Sequence, residues 1–206
     1  MEKKIKVSII IPCWNSIGWI EACLRSVPKR ADIEIICIDD GSTDNTCGLI
    51  LKYFTSQKKF KNYEIIQSDC NKGVSAARNF GIDIAKGEYI LMLDSDDYIY
   101  PKVFNDIVDN YLDKDYDMVF YNMENNVKYV FKADQNNYQC KYGNFKFIKR
   151  EFLGDMRYVV GMQYAEDKDL HLRLMKKYPS CYFTNQTMYH YNYPRKGSLS
   201  AIGEKR

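Results

Sequence analysis

The chain of 206 residues is long enough to bury a substantial core as one domain, and 30 Lys and Arg against 27 Asp and Glu, a formal charge of +3, give no electrostatic footprint for a nucleic-acid partner. No apolar run is long enough to span a bilayer and the N-terminal MEKKIKVSIIIP lacks a signal-peptide cleavage pattern, so a cytoplasmic protein with at most peripheral membrane association, at the inner face, is expected. Seven cysteines, an odd number without CxxC pairing, fit a reduced compartment and argue against a zinc site.

Ile5 to Ile11 reads as a buried strand closed by Pro12. Asn15 or Ser16 can cap the next helix, with Trp19, Ile20, Cys23, Leu24 and Val27 inward. A second strand, Ile33 to Ile38, ends in Asp39, Asp40 and Gly41, and the following helix turns Leu49, Ile50, Tyr53 and Phe54 to the core. Tyr63 to Ile66 is a third strand. It leads into a Gly-containing loop and a helix through Val74, Ala77, Phe80, Gly81 and Ile84, whose small residues allow close packing on a sheet. Glu88 to Leu93 is a fourth buried strand, and Pro101 opens an amphipathic helix through Val103, Phe104, Ile107, Val108, Tyr111 and Leu112. This alternation of strand and helix indicates βαβ units and a mostly parallel α/β sheet.

The second half is less regular. Tyr116 to Tyr121 reads as a fifth strand, Val127 to Phe131 with Tyr138 to Cys140 as a hairpin, and Gly143 to Leu153 as a helix. Glu166 to Lys177 reads as a helix with Leu170, Leu174 and Met175 on one face, and CYFTNQTMYHYNY as one or two strands before a basic tail. No repeat or Pro-, Gly- or Ser-rich linker divides the chain, so a single domain over residues 1–206 is expected.

The most informative stretch is GEYILMLDSDDYIYP, residues 87–101. A buried strand that ends in Asp94, Ser95, Asp96 and Asp97 delivers carboxylates to the C-terminal edge of the sheet, where open α/β folds bind ligands. Clustered carboxylates repel one another until a divalent cation relieves them, and hard oxygen ligands suit magnesium or manganese. The plainer alternative is a solvated acidic turn. Asp39 and Asp40 form a second acidic strand end, with simple helix capping as its alternative. Neither a G-x-G-x-x-G nor a G-x-x-x-x-G-K-[ST] motif occurs.

VSIIIPCWN, IEIICIDDGSTDNT, NKGVSAARNFGIDIAKGEYILMLDSDD and the later YAED resemble, in order and spacing, a bacterial family 2 glycosyltransferase of the inverting GT-A fold. The first three stretches cover nearly all of residues 7–97. Beyond Tyr98 only AEDKDL and YHYNYPRKGSLS carry the likeness. Two departures stand at the rim: SVPKRAD replaces a common Gln-Thr pair, and Trp14 replaces a smaller aromatic.

The resemblance implies a Rossmann-like GT-A domain whose first 100 residues bind a nucleotide sugar, commonly a UDP-sugar, and whose remainder binds the acceptor. Pro12, Trp14 and Asn15 are placed near the nucleobase, Asp40 on the base with Asp39 supporting its turn, and Lys72, Gly73 and Arg78 along the nucleotide. Asp94 and Ser95 fall beside the ribose or sugar. Asp96 or Asp97 is expected to hold magnesium or manganese, the choice remaining open, with His190 as a further ligand against the alternative of a rim residue. Asp167 resembles the catalytic base, with Glu166 positioning it, against the alternative of plain helix N-terminal charge. His171, on an apolar helix, reads as structural or solvated, and Arg195, Lys196 and Ser198 as a flap over the diphosphate or a solvated tail. The implied acceptor is a hydroxyl of a glycan or lipid-linked oligosaccharide. Two other readings compete. A nucleotidyltransferase would carry a Gly-rich basic loop where PCWN stands, and the intact acidic residues argue against a non-catalytic sugar-nucleotide or glycan-binding module.

Overall fold

The computed structural model describes residues 4–57, 60–133, 145–162 and 164–193. The first half alternates β1 (Val7–Cys13), α1 (Ile20–Ser26), β2 (Ile33–Asp39), α2 (Thr46–Ser56), β3 (Tyr63–Gln67), α3 (Val74–Ile84) and β4 (Tyr89–Met92). The second half contains β5 (Tyr98–Ile99), α4 (Pro101–Asn110), β6 (Met118–Asn125), β7 (Val130–Phe131), β8 (Lys146–Lys149), α5 (Arg150–Leu153), α6 (Glu166–Met175) and β9 (Cys181–Tyr191).

One sheet runs through the molecule in the order β3-β2-β1-β4-β8-β6-β9-β5, with β7 added to β6. The strands β3 to β4 are parallel, as the βαβ pattern demands. β8 enters antiparallel between β4 and β6, while β6 and β9 run parallel, so the sheet is mixed. β1 and β2 are buried along their whole length, which is why they read as apolar runs rather than alternating ones. α3 lies close against β1: a Cβ on Gly81 would stand 2.4 Å from Ile10 Cγ2. That contact explains the small residues on this helix.

Several local expectations change. α1 starts only at Ile20, without a side-chain cap, because Asn15 and Ser16 are spent on holding neighbouring loops. Trp19 and Phe80, expected inward, are exposed. Residues 146–149, expected as helix, form β8, because Phe147 and its neighbours gain more from pairing with β4 and β6 than a short helix would give; only Arg150–Leu153 is helical. β7 pairs with β6; residues 138–140, the other arm of the expected hairpin, lie outside the described residues, as do 143–144 and the basic tail. The C-terminal segment is one strand, irregular in register against Phe120 to Met123, with Asn185 at φ 56°. Among the described residues no helix is long and apolar enough to cross a membrane.

Candidate active site

The sheet order reverses at β1, whose neighbours are β2 on one side and β4 on the other. Loops leaving such a point diverge and leave a crevice beyond the strand ends. Three loops meet there. The Ser16 and Ser95 hydroxyls, buried and 2.7 Å apart, join the turn after β1 to the acidic turn after β4. Asn15 Oδ1 accepts the Thr43 N–H at 2.8 Å, joining the same turn to the loop after β2. Asn15 takes a φ of 48° there, and Trp14, 55 % exposed, is left on the rim beside buried Pro12.

At the end of β2, Asp39 is fully buried and accepts hydrogen bonds from the Ser42 N–H, at 3.1 Å, and the Ser42 hydroxyl. Both bonds close the turn that follows β2. Asp40 spends one bond from each carboxylate oxygen on the next loop: Oδ1 accepts the Lys72 N–H at 2.9 Å and Oδ2 the Gly73 N–H at 2.7 Å. A carboxylate oxygen has two lone-pair sites, so Asp40 retains capacity for a further donor. The loop at Cys70 sits so close to Gly41 that a Cβ there would lie 2.6 Å from the Cys70 carbonyl carbon, and Gly41 has a φ of +69°. Lys72 is exposed at the mouth.

The acidic turn after β4 divides by burial. Asp94 and Asp96 are half-buried. Asp97 is buried, its Oδ2 accepting the Tyr189 hydroxyl at 2.6 Å and its Oδ1 the Asn192 N–H at 2.8 Å. Burial, then the Asp94 charge, pushes the Asp97 carboxyl up to about 8 against the opposing pull of those two bonds.

Arg78, expected along the nucleotide, is tied to the protein's own carboxylates. It is 5 % exposed and forked between two carboxylates, Nη2 donating to Asp94 Oδ1 at 2.9 Å and Nη1 to Glu166 Oε1 at 2.8 Å. The Tyr158 ring lies 5.3 Å from the guanidinium. Burial alone would lower the Arg78 pKa; Asp94, Tyr158 and Glu166 outweigh it and hold the group charged. Glu166 and Asp167 open α6 after Ala165, which has φ 60° and offers no capping side chain. Thus Asp94 and Glu166, from the two halves of the chain, share one buried cation.

The carboxylate beside His190 is Glu124, whose Oε1 lies 3.7 Å from Nδ1. The His190 ring stacks on Tyr98 at 4.2 Å, Nδ1 lies 3.3 Å from the Tyr100 hydroxyl, and Nε2 lies 2.9 Å from Asn126 Oδ1. Among the described residues no three His, Cys, Asp or Glu side chains gather as a metal site. Magnesium and manganese at a diphosphate need only one or two protein carboxylates, the phosphates and water supplying the rest. The oxygen donors of Asp94 and Asp96 suit such a set, while Asp97 is bonded to Tyr189 and Asn192 and His190 lies against Tyr100 and Asn126. His171 is buried, edge-on to Phe120, as a core residue. Tyr189, Asn79 and Tyr158 escaped the sequence reading, since their partners lie far along the chain and no local pattern marks them.

The sequence profile of "Glycosyl transferase family 2" matches residues 8–162. A poly(ribitol-phosphate) beta-glucosyltransferase of Bacillus spizizenii is 48% identical over 101 residues, which are 46% of this chain and 15% of that protein. The Staphylococcus aureus TarS 1-349 structure in complex with UDP-GlcNAc superposes with a TM-score of 0.82 at 23% identity, over 96% of this chain and 61% of that one. A mannosyltransferase of Pyrobaculum calidifontis, in complex with GDP-Man and Mn2+, gives a TM-score of 0.75 at 17% identity, over 95% of this chain and 59% of that one. The chain therefore spans only part of the length of these relatives. With a profile match across most of its length and the acidic crevice just described, the chain belongs to glycosyl transferase family 2.

Proposed function

We propose that this chain transfers a sugar from a uridine diphosphate donor to a hydroxyl of a glycan or lipid-linked acceptor, inverting the anomeric centre in one displacement. The observation that carries the reading is the Arg78 fork, which links the end of β4 to the start of α6. Donor-side and acceptor-side groups then border one crevice, the condition for converting two reactants into one oriented pair. The TarS complex with UDP-GlcNAc supports the donor class, and the poly(ribitol-phosphate) glucosyltransferase supports a phosphodiester glycan as acceptor.

In this mechanism Asp40 accepts a hydrogen bond from the base while Trp14 and Pro12 border it, and Asp94 orients the ribose or sugar. Asp167 accepts the proton of the acceptor hydroxyl as its oxygen bonds to the anomeric carbon and the bond to the diphosphate breaks. Glu166, held by Arg78, fixes the helix turn that carries Asp167. A magnesium or manganese ion held at Asp96, beside Asp94, would neutralise charge on the leaving diphosphate. Calorimetry with UDP and UDP-N-acetylglucosamine, with and without manganese, tests the donor, and NMR of the product tests inversion. Absence of binding to either nucleotide, or a product that keeps the donor's configuration, would overturn the reading.

A further inference from the structure

The structure assigns a positioning role to Asn79, which with Arg78 fixes the base-bearing helix α6 from the opposite half of the chain. This rests on Asp167 being the base of the proposed reaction. The start of α6 has little to hold it locally. Ala165 offers no side-chain cap, and the five residues before Ala165 that the structure describes, 159–162 and 164, are all exposed.

The fixed points come from α3. Asn79 Nδ2 donates to the Tyr158 carbonyl at 2.9 Å, and the Tyr158 N–H donates to Asn79 Oδ1 at 2.8 Å. A primary amide that closes both bonds on one residue's backbone fixes that residue in position and orientation. The adjacent Tyr158 side chain is buried with its ring facing the Arg78 guanidinium. Arg78, one residue earlier, holds Glu166 at the helix start. Arg173, on the third turn of α6, donates to the Arg157 carbonyl at 2.7 Å, so the segment that Asn79 holds is also bound to the body of the helix. Consecutive residues of α3 therefore fix α6 at its start and along its side. A displacement of about 1 Å at a reacting group costs on the order of a hundredfold in rate, so loosening this clamp acts on turnover without touching the nucleotide.

The test compares the parent with Asn79→Ala and Asn79→Asp. Three readouts are hydrogen exchange across the chain, UDP affinity by calorimetry, and UDP release from UDP-N-acetylglucosamine with water as acceptor. In Asn79→Ala, exchange over residues 157–170 should rise by about tenfold while peptides of β1, β2 and β4 stay at the parent level. UDP affinity should remain within about twofold and turnover should fall by on the order of ten- to a hundredfold with KM unchanged. Asn79→Asp, which still accepts the Tyr158 N–H, should lie between. Should Asn79→Ala not fold, Arg78→Lys, which cannot fork between two carboxylates, should give the same local loosening. Uniformly faster exchange in all strands, or a loosened α6 with parental turnover, would overturn the inference. A parent that binds no UDP would remove the proposed function, and the local exchange pattern would still decide whether Asn79 clamps α6.

Discussion

The Tyr189 hydroxyl donates to Asp97 Oδ2 at 2.6 Å, fastening the acidic turn after β4 to the far end of β9. With Asn192 N–H on its other oxygen, Asp97 acts as a strut between two strands remote in sequence. Asp96, its neighbour, is half-buried. The two carboxylates should therefore separate by experiment. Asp97→Ala should cost about 1–3 kcal/mol, from buried donors left unpaired, and should lower Tm in thermal unfolding. Asp96→Ala should cost less stability than Asp97→Ala while weakening the manganese dependence of UDP binding. The reverse pattern would return the metal to Asp97.

Within the pair that opens α6, Glu166 is bound to Arg78, and Asp167 Oδ1 accepts the N–H of Lys168 at 2.8 Å. Asp167→Asn should retain donor affinity and lose transfer by on the order of a hundred to ten thousandfold. Glu166→Gln keeps an acceptor for Arg78 and should lose less. Steady-state kinetics on both variants check this, and near-parental transfer by Asp167→Asn alongside an inactive Glu166→Gln would exchange the two roles.

Two glycines should report different things. Gly81→Ala presses a methyl into Ile10 and should destabilise by about 1–3 kcal/mol without altering nucleotide affinity. Gly41→Ala faces both a positive φ and the Cys70 backbone, so the loop that Asp40 holds must move. It should lower both stability and UDP affinity, measured by thermal unfolding and calorimetry. Unchanged affinity in Gly41→Ala would detach that loop from the nucleotide.

Asp44 provides a pH test. Burial alone would raise its pKa, but bonds from the Thr46 hydroxyl and from the Ile17 and Thr46 N–H groups carry it below the usual carboxylate value. A depressed native pKa means the unfolded chain binds the proton first, so the contribution is present above the unfolded value, about 3.9, and is lost as pH falls through the native one. The Tm gap between the parent and Asp44→Asn should be open at neutral pH and close as pH drops below about 4. A gap that persists into acid would count against the carboxylate's role in tying the turn after β1 to α2.

What the sequence alone determined is the half of the protein whose signals are local. Apolar runs of strand length, small residues on α3, Pro101 at a helix start and carboxylates at two strand ends are each read within a few residues, and β1 to β4 with their helices follow from them. Tertiary structure decided what each side chain meets. Residues 146–149 are compatible with a helix until β4 and β6 are placed on either side. The imidazole of His190 is near the acidic turn in any reading, yet its partners Tyr98, Tyr100 and Asn126 turn it into packing. Arg78 reads as a residue bordering the nucleotide, and nothing local shows that Glu166, 88 residues away, takes one arm of its guanidinium. The physical reason is common to all three: periodicity and capping are set by neighbours along the chain, whereas ion pairs and strand partners are set by contacts that exist only once distant segments have packed.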